Sequence, residues 1–366
     1  MVEWKKLGEV CTFNRGRTIT AKDSVDGSIP VIAGGQTPSY YHNEANRDGE
    51  SITVAGSGAY AGFISYWNQP IFVSDAFTVD PTALLKHKYL FHWLKHNQAK
   101  VFATQKGAGV PHVHGKDIAN FLIPIPSLSE QNRIVGILDT FTASIDNLKE
   151  QIAQRRKQYE YYRCCLFSAG KWLEHRIGEL TKVFSCPRVF KDQWQKSGVP
   201  FWRSSDIMSY HNGVINPRGE VYISQSLYEE LSSKTDKIKE GDILVTGGGS
   251  IGIPYLKKDN SPLFVKDADL ICIQKCSSII PKYLYHYFLS TDFKLYLKKI
   301  THDATIAHYT INQIKDTPIP LPTLSEQQRI VSILDTFEAS IQNLEAQLSQ
   351  REKQYEYYRN KLLTFE

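Results

Sequence analysis

Two stretches of the chain place apolar residues at alternating steps of four and three positions. They lie in 127–168 and 323–366, and their apolar seam positions are Ile134, Leu138, Phe141, Ile145, Leu148 and Ile152 in the first and Ile330, Leu334, Phe337, Ile341, Leu344 and Leu348 in the second. This spacing is the 3.5-residue repeat of a left-handed coiled coil, so each stretch predicts a helix roughly 60 Å long at about 1.5 Å per residue. A lone helix would expose its stripe to water. We therefore expect the two helices to pack on each other, with dimerisation through another chain as the alternative.

The two stretches are copies of one sequence. Residues 123–163 align with 319–359 at a constant offset of 196 positions, and roughly three-quarters of the aligned positions are identical. Both copies begin with a Pro-x-Pro segment. Because proline lacks an amide donor and restrains the residue before it, we expect a hinge there and not a strand.

The sequence after each hinge predicts a helix start. Ser127 with Glu130, and Thr323 with Glu326, match the capping box. In that arrangement the hydroxyl accepts the third amide of the helix while the glutamate reaches back to the amide of the capping residue.

The chain before each copy reads as a mixed domain dominated by short strands. Runs at 29–33, 51–55, 62–67 and 71–79 are rich in β-branched and aromatic residues and are separated by glycine, asparagine and proline, and a helix is predicted near residue 89. The segment between the copies repeats this order with little identity; for example, Asp-Ile-Leu-Val-Thr-Gly-Gly-Gly from 242 corresponds to Ser-Ile-Thr-Val-Ala-Gly-Ser-Gly from 51. We expect one fold used twice, with diverged surfaces.

Length and composition fit this organisation. A chain of 366 residues suits two domains with connectors. No apolar run is long enough to cross a bilayer and the N-terminus has no apolar signal core, so a cytoplasmic protein is expected. The net charge of +5 permits nucleic-acid binding without demonstrating it. The six cysteines show no paired metal-ligand spacing, and we predict no metal site.

One glycine-rich run matches two catalytic motifs. Gly247–Gly252 fits the dinucleotide fingerprint G-x-G-x-x-G, and Gly248–Gly252 fits the nucleophile elbow G-x-S-x-G. Both motifs require a helix immediately afterwards, and Pro254 opposes one. We favour a turn between strands, with close approach to a DNA backbone as the functional alternative.

Taken together, the twofold arrangement of a variable domain, Pro-x-Pro, Ser/Thr-Leu-Ser-Glu-Gln and a long helix ending in Gln-Tyr-Glu-Tyr-Tyr-Arg resembles the specificity subunit of type I restriction-modification systems, the HsdS family. The resemblance covers essentially the whole chain. It implies an α+β fold with a pseudo-twofold internal repeat, in which two target recognition domains are separated by two long conserved helices packed as an antiparallel coiled coil. The implied segments are the recognition domains 1–126 and 169–322, the central conserved helix 127–168 and the distal conserved helix 323–366.

The same resemblance implies the function. Each recognition domain would read one half of a bipartite, asymmetric site in double-stranded DNA. The helices would dock two methyltransferase subunits, and restriction subunits would join that complex. The chain itself would be non-catalytic, since it contains no Pro-Pro and so no Asn/Asp-Pro-Pro-aromatic motif for adenine methylation. S-adenosylmethionine, ATP and magnesium would be bound by the partner subunits.

Candidate DNA-contacting residues are the polar, basic and aromatic side chains of the predicted loops, because such residues contact bases and phosphates. They are Arg15, Arg17, Gln36, Tyr40, Tyr41, Lys106, His112 and His114 in the first domain and Arg203, Ser204, Ser205, Lys257, Lys258, His302 and His308 in the second.

Some alternatives stay open at this stage. Arg155 and Arg351 interrupt the seam at equivalent positions, either to set the register and extend toward solvent or to contact a partner or DNA. The chain as a whole could be a coiled-coil adaptor that binds only proteins, or the specificity subunit of a related restriction-modification enzyme outside type I. An enzyme acting alone ranks third because no complete catalytic constellation is found.

Overall fold

The chain folds into two compact units. The computed structural model describes residues 2–107, 109–168, 170, 172–214, 219–301 and 308–365. Unit 1 comprises residues 1–150 and 345–366, and unit 2 comprises residues 151–344. Each unit thus contains one β-rich domain together with segments of both long helices.

The elements of the first domain alternate short strands with short helices. In chain order they are β1 (Glu3–Lys6), α1 (Leu7–Val10), β2 (Cys11–Arg15), β3 (Ile29–Ile32), β4 (Tyr40–His42), β5 (Glu50–Ala55), β6 (Ile64–Asn68), β7 (Phe72–Val73), β8 (Ala76–Pro81), α2 (His87–His96), α3 (Gln98–Phe102), α4 (Gly115–Ile118) and β9 (Leu122–Ile125), followed by the long helix α5 (Leu128–Ser168).

Three sheets organise this domain. One is antiparallel in the order β2-β8-β5-β6, the second has the order β4-β3-β7 with β3 parallel to β7, and the third pairs β1 with β9. β5 is buried at every position after Glu50, as expected for the β-branched run between two strands of one sheet. The strands predicted from the sequence are confirmed, except that Ser74 and Asp75 divide the run at 71–79 into β7 and β8.

The second domain repeats the strands of the first in the same order. Its elements are β10 (Glu174–Arg176), α6 (Ile177–Leu180), β11 (Val183–Ser185), a 3-10 turn (Lys191–Gln193), β12 (Val199–Trp202), α7 (Ser204–Asn212), β13 (Tyr222–Ile223), α8 (Gln225–Ser232), β14 (Ile243–Thr246), β15 (Pro254–Leu256), β16 (Phe264–Val265), β17 (Leu270–Ile273), α9 (Pro281–Phe288), α10 (Thr291–Thr301), α11 (Ile311–Lys315), β18 (Pro318–Pro320) and the long helix α12 (Leu324–Leu363). The sheets have the orders β11-β17-β14-β15, β13-β12-β16 and β10-β18, which match the first domain strand for strand. Helices α7 and α8 are additions to this shared plan.

The prediction of hinges without strands at the Pro-x-Pro segments is wrong. Residues 122–125 form β9, which pairs antiparallel with β1, and residues 318–320 form β18, which pairs with β10. Each of these sheets has two strands, so both strands are edges, where the missing proline donor leaves no ladder bond unmade.

The long helices begin where the sequence predicts. The Ser127 hydroxyl accepts a hydrogen bond from the Glu130 amide at 3.2 Å, and the hydroxyl of Thr323 plays the same part in α12 at 3.4 Å. The carboxylate part of the capping box is wrong, because Glu130 instead accepts two bonds from the Arg133 guanidinium, at 2.6 and 2.8 Å.

A buried glutamine fixes each long helix to the domain before it. The Gln131 amide oxygen accepts from the Lys86 backbone N–H at 2.8 Å, and its nitrogen donates to the carbonyls of Leu84 and Pro126 at 2.9 and 3.0 Å. Gln327 makes the three equivalent bonds in unit 2, at 2.8, 3.0 and 3.0 Å.

In each unit the segments of α5 and α12 pack antiparallel. Within unit 1, Phe141 stacks on Tyr358 with ring centroids 5.3 Å apart, while Lys149, further along α5, pairs with Glu352, which lies earlier in α12. Within unit 2, Phe337 stacks on Tyr162 at 5.2 Å. All of the seam residues are buried or half-buried.

Candidate nucleic-acid interface and helix surface

In unit 1, the loop after β5 is joined to the segment that carries the predicted histidines. The Gly56 N–H donates to the Asp75 carbonyl and its own carbonyl accepts from the Val113 N–H, both at 3.0 Å. Lys106 and His112 exchange two backbone hydrogen bonds, at 3.0 and 2.8 Å. One edge of the domain therefore presents Lys106, His112 and the glycine-rich loop together.

The side chains at this edge are held in fixed orientations. The exposed rings of His112 and His114 stack with centroids 6.2 Å apart and an interplanar angle of 6°. The Lys106 ammonium forms an ion pair with Asp117, whose carboxylate also accepts from the His114 amide at 3.2 Å. These bonds lower the pKa of Asp117 below its ordinary value, with the Lys106 hydrogen bond as the main cause.

The predicted pair Arg15 and Arg17 flanks a glycine that no other residue could replace. A Cβ at Gly16 would lie 2.3 Å from the Ser74 carbonyl oxygen, so the chain passes this point only without a side chain. The Arg17 guanidinium lies 5.1 Å from the centre of the Phe72 ring. Both arginines are exposed at the end of β2.

The predicted side chains of the segment 36–41 differ in their exposure. Gln36 and Tyr41 are exposed, whereas the Tyr40 hydroxyl donates to the Ile19 carbonyl at 2.6 Å and is engaged in the fold.

In unit 2, a groove of about 1330 Å³ brings two predicted loops together. Its walls include Arg203, Ser204 and Ser205 at the start of α7 and the turn Gly248–Ser250 after β14. That turn leads into the antiparallel strand β15 and not into a helix, so the dinucleotide and nucleophile-elbow motifs lack their required context. The turn is tied as in unit 1, because Gly247 donates to the Asp269 carbonyl at 2.7 Å and accepts from Tyr309 at 2.9 Å.

Several charged groups of the groove are already paired within the chain. Arg203 is buried and bonds Asp206 through Nε at 3.0 Å, Lys266 pairs with Asp269 at 2.7 Å, and the Ser204 hydroxyl donates to the Asp269 carbonyl at 2.9 Å. Arg203 is therefore a structural part of the groove wall as well as a source of positive charge.

One exposed part of this groove was not predicted from the sequence. Arg188, Phe190 and Lys191 line it and are exposed, and the Arg188 guanidinium lies 5.4 Å from the Phe190 ring centre. Basic residues interleaved with an aromatic one are typical of nucleic-acid surfaces, and the run Arg-Val-Phe-Lys carried this signal.

Among the described candidates of unit 2, Lys257, Lys258 and His308 do not line the groove. Lys257 is only 3% exposed, and its ammonium bonds Asp259 and, at 2.9 Å, the Ser261 hydroxyl. That contact lowers the pKa of Asp259 to about 2. Lys258 is exposed, with its ammonium 5.6 Å from the Tyr210 ring centre. His308 is exposed, and His302 lies outside the described residues.

The two arginines that interrupt the seam have an intramolecular contact. The Arg351 guanidinium lies 5.6 Å from the ring centre of Phe141 in unit 1, and that of Arg155 lies 5.8 Å from the ring of Phe337 in unit 2. Each places its cation over an aromatic ring of the other long helix, an interaction worth about 0.5–1 kcal/mol at exposed sites.

Next to these contacts, tyrosines are exposed in both copies. Tyr161 and Tyr357 are 65% and 59% exposed, and each meets the following tyrosine edge to face at 5.6 and 5.3 Å. Large exposed aromatic side chains repeated at equivalent positions are typical of protein-binding surfaces.

An ion-pair cluster joins each long helix to its domain. Asp139 accepts from Lys88 at 2.6 Å and lies 2.8 Å from His92 Nε2. In unit 2, Asp335 lies 2.6 Å from Lys282 and 3.1 Å from His286 Nε2.

Glu338 adds a third potential metal ligand to His286 and Asp335, all with ligand atoms within 4.8 Å. The Lys282 ammonium on Asp335 makes this an ion-pair network rather than a metal site. Among the described residues, none of the helices combines the length and the apolar character that crossing a membrane would require.

Comparison with known proteins places these features in context. A family model described as "Type I restriction modification DNA specificity domain" matches residues 1–155 and 170–352. The chain is 30% identical over 387 residues to S.HindORF215P of Haemophilus influenzae, whose name provisionally assigns it as a type I restriction enzyme specificity subunit; the match covers 100% of the chain and 96% of that protein. It is 28% identical to the EcoR124I/EcoR124II specificity subunit of Escherichia coli, covering 100% and 94%.

A solved structure gives the same picture of the fold. The crystal structure of a type I restriction-modification S subunit from M. genitalium matches with a TM-score of 0.66 at 16% identity, covering 100% of the chain and 97% of that protein.

Proposed function

The chain belongs to the type I restriction modification DNA specificity family, and from this membership we propose that its two β-rich domains read the two halves of a bipartite, asymmetric DNA site while α5 and α12 hold two methyltransferase subunits. As a specificity subunit the chain is non-catalytic. The methyltransferase and nuclease activities reside on partner subunits, which also bind the cofactors. In the proposal, residues 1–126 and 169–322 are the recognition domains.

The observation that carries the proposal is one scaffold with two different surfaces. The strand orders of the two domains correspond. In each domain the glycine that follows β5 or β14 forms backbone hydrogen bonds to the residue before a neighbouring strand and to a segment that carries a histidine. The groups presented there differ: stacked His112 and His114 in unit 1, and a groove with Arg188 and Phe190 in unit 2. A shared scaffold with different side chains suits the reading of two unlike half-sites.

The chemistry of the unit 2 groove fits a DNA backbone and its bases. Exposed Arg188 and Lys191 can donate hydrogen bonds to base edges in a major groove, and the turn Gly248–Ser250 leaves room for a backbone to approach. In unit 1, the imidazole rings of His112 and His114 and the guanidinium of Arg17 supply donors for base edges.

The test uses the complex with its methyltransferase subunits. Methylome sequencing of a host that expresses the system first gives the recognised site. Binding is then measured on three duplexes: the intact site and two versions in which one half is scrambled. Arg188→Ala with Lys191→Ala should weaken binding to the intact site by about tenfold or more, since each contact contributes about 1–3 kcal/mol.

The pattern across the three duplexes decides the proposal. The double variant should lose discrimination against scrambling of one half-site and keep it for the other. Lys196→Ala is the matched control, because Lys196 is exposed in the same domain and does not line the groove. Equal loss of discrimination at both halves, or at neither, would contradict the division of labour.

A further inference from the structure

A cavity of about 770 Å³ lies within unit 1, between α2 and the segments of the two long helices. Its walls include the aromatic rings of Tyr66, Phe91 and Tyr355 and the polar side chains of His92, Asp139 and Thr142. The walls also carry charged side chains, and a volume of this size is typical of a small-ligand site; the charged residues are Lys88, Asp139, Asp146, Lys149 and Glu352.

His92 in the cavity wall has one unused ring nitrogen. The side chain is 1% exposed, and its Nε2 lies 2.8 Å from the Asp139 carboxylate. Its Nδ1 is buried and has no hydrogen-bond partner among the described residues. Leaving such a group unpaired costs about 1–3 kcal/mol, so the site favours a ligand that would pair it.

Unit 2 contains the same histidine with that nitrogen in use. His286 Nδ1 lies 3.2 Å from the Tyr159 hydroxyl and 3.8 Å from the Glu338 carboxylate. The Tyr159 hydroxyl donates to that carboxylate at 2.8 Å. In this copy, the phenol lies between the imidazole and a carboxylate, and the carboxylate is at ion-pair distance from the imidazole.

Near this histidine, the two copies carry different side chains at position 142 and at its equivalent, position 338. The repeat aligns Tyr355 with Tyr159 and Thr142 with Glu338, and both Tyr355 and Thr142 line the cavity. Unit 1 therefore keeps the imidazole and the phenol, but has a short hydroxyl side chain in place of the carboxylate.

Two further donors, Arg359 and His96, lie near His92 without lining the cavity. Arg359 hydrogen-bonds the Tyr355 side chain and lies over its ring at 5.4 Å, and its Nε is buried without a partner among the described residues. His96, one helical turn after His92 on α2, has an unpartnered Nδ1 of the same kind. The Arg359 charge contributes to lowering the pKa of both histidines, after burial.

We propose that this cavity binds a carboxylate group, which takes the position of the Glu338 carboxylate, accepts a hydrogen bond from the Tyr355 hydroxyl and forms an ion pair with the His92 ring. The apolar walls, Phe91 and Tyr66 among them, would cover the body that bears the carboxylate. The carboxylate comes either from a small molecule or from an acidic side chain of a partner subunit. The proposal does not depend on DNA reading.

Binding couples to protonation of His92. Because Nε2 faces Asp139, Nδ1 can donate to an anion only when the ring carries both protons, so binding takes up a proton. The charged groups facing His92 are Asp139 from α5, Lys88 from α2 and Arg359 from α12. Affinity for the carboxylate should therefore rise as the pH falls toward the lowered pKa of His92.

The test is NMR of the full chain with labelled histidine rings. Sodium acetate replaces sodium chloride at constant ionic strength, so that acetate is the probe. The His92 Nδ1 resonance should shift saturably with acetate and move toward the imidazolium position, while the His286 resonance stays in place. An unchanged His92 resonance, or equal shifts at both histidines, would overturn the proposal.

Two substitutions of Thr142 distinguish the effect of a carboxylate from the effect of filling the cavity. Thr142→Glu supplies the carboxylate from the chain itself, as unit 2 does, and should weaken acetate binding by about tenfold or more, equivalent to about 1.4 kcal/mol. Thr142→Gln has nearly the same volume without the charge and should not place His92 in the imidazolium form. If Gln reproduced the effect of Glu on the His92 resonance, the carboxylate assignment would be wrong.

The reciprocal variant tests the comparison on which the proposal rests. Glu338→Thr should give His286 the acetate response that His92 has in the natural chain, and failure to do so would count against the proposal. Adding the methyltransferase subunits to the acetate-bound chain distinguishes the source. Release of acetate supports a partner's acidic side chain, and retention supports a small-molecule carboxylate.

Discussion

At the residue scale, the side chains repeated in both copies are mostly those that fasten a helix to its domain. Gln131 and Gln327 are buried and make identical sets of three backbone bonds, yet in the sequence they read only as polar helix residues. Arg155 and Arg351, which the sequence left ambiguous, each lie over an aromatic ring of the other long helix. The partners of such residues are distant in sequence, so periodicity could locate the residues but not assign their roles.

Substitution of Gln131 tests the fastening. Gln131→Ala leaves the Lys86 amide without its acceptor and the Pro126 carbonyl, in a buried contact, without its donor, and an unsatisfied buried group costs about 1–3 kcal/mol. Denaturant unfolding should show a loss of that size. Asn132→Ala, at the exposed neighbouring position of the same helix, is the control and should change stability by less than about 0.5 kcal/mol. Equal effects of the two substitutions would contradict the role of Gln131.

The free energy of unfolding should depend on pH through the titration of buried groups that include His92 and Asp139. Burial lowers the pKa of His92 below its ordinary value of 6.5, and the hydrogen bonds from Lys88 and His92 lower that of Asp139 below 3.8 despite its partial burial. The stability tied to each depressed pKa is full above the ordinary value and is lost as the pH falls below it. We therefore expect unit 1 to lose stability as the pH falls below about 6.5, with His92 and His96, whose pKa burial also lowers, as the sources in this window and Asp139 acting only at lower pH.

His92→Gln isolates this contribution. The variant removes the titrating ring while retaining a hydrogen-bonding side chain, so the free energy of unfolding should depend less on pH across that window. Urea unfolding at several pH values, followed by a probe in unit 1, measures the slope. An unchanged slope in the variant would show that another group governs the acid response.

At the element scale, the sequence predicted what is periodic and missed what depends on a distant partner. The long helices and their seam follow from local spacing, and so do the buried strands β3 and β5. β9 and β18 were missed because their pairing with β1 and β10 is non-local and local proline rules oppose strands. For the same reason the Arg188 groove was missed, since it is formed only when the loop before β12 meets the turn after β14.

The exposed tyrosines of the long helices test the proposed docking of two partners. Because Tyr161 lies in unit 2 and Tyr357 in unit 1 at equivalent positions, each should contribute to one of two equivalent methyltransferase sites. Tyr161→Ala or Tyr357→Ala alone should leave one bound subunit under conditions where the natural chain binds two, and the double variant should bind none. Native mass spectrometry counts the subunits.

A matched control uses the charged residue before each tyrosine. Glu160 and Glu356 are exposed and also repeated, and their substitution by alanine should leave two subunits bound. If the double tyrosine variant still bound two subunits, the docking surface would lie elsewhere on the chain.

At the scale of the whole molecule, the two copies have similar long helices and different domain sequences. The helix sequences are roughly three-quarters identical, whereas the domains keep their strand orders and little of their sequence. If the helices are a spacer and the domains are readers, the two properties should be separable by engineering. Seven residues keep the apolar seam in register and add about 10 Å to a helix, which corresponds to about three base pairs of DNA.

We therefore expect that inserting one heptad into α5, with a matching heptad in α12, lengthens the unread gap of the recognised site by about three base pairs and leaves both half-sites unchanged. Methylome sequencing of a host carrying the variant reads the gap and the half-sites in one measurement. An insertion of two residues into each helix is the control, because it moves the apolar seam off its facing partner and should abolish methylation. A heptad variant that kept the gap and altered a half-site would mean that the long helices take part in reading the sequence, and the separation of spacer from reader would fail.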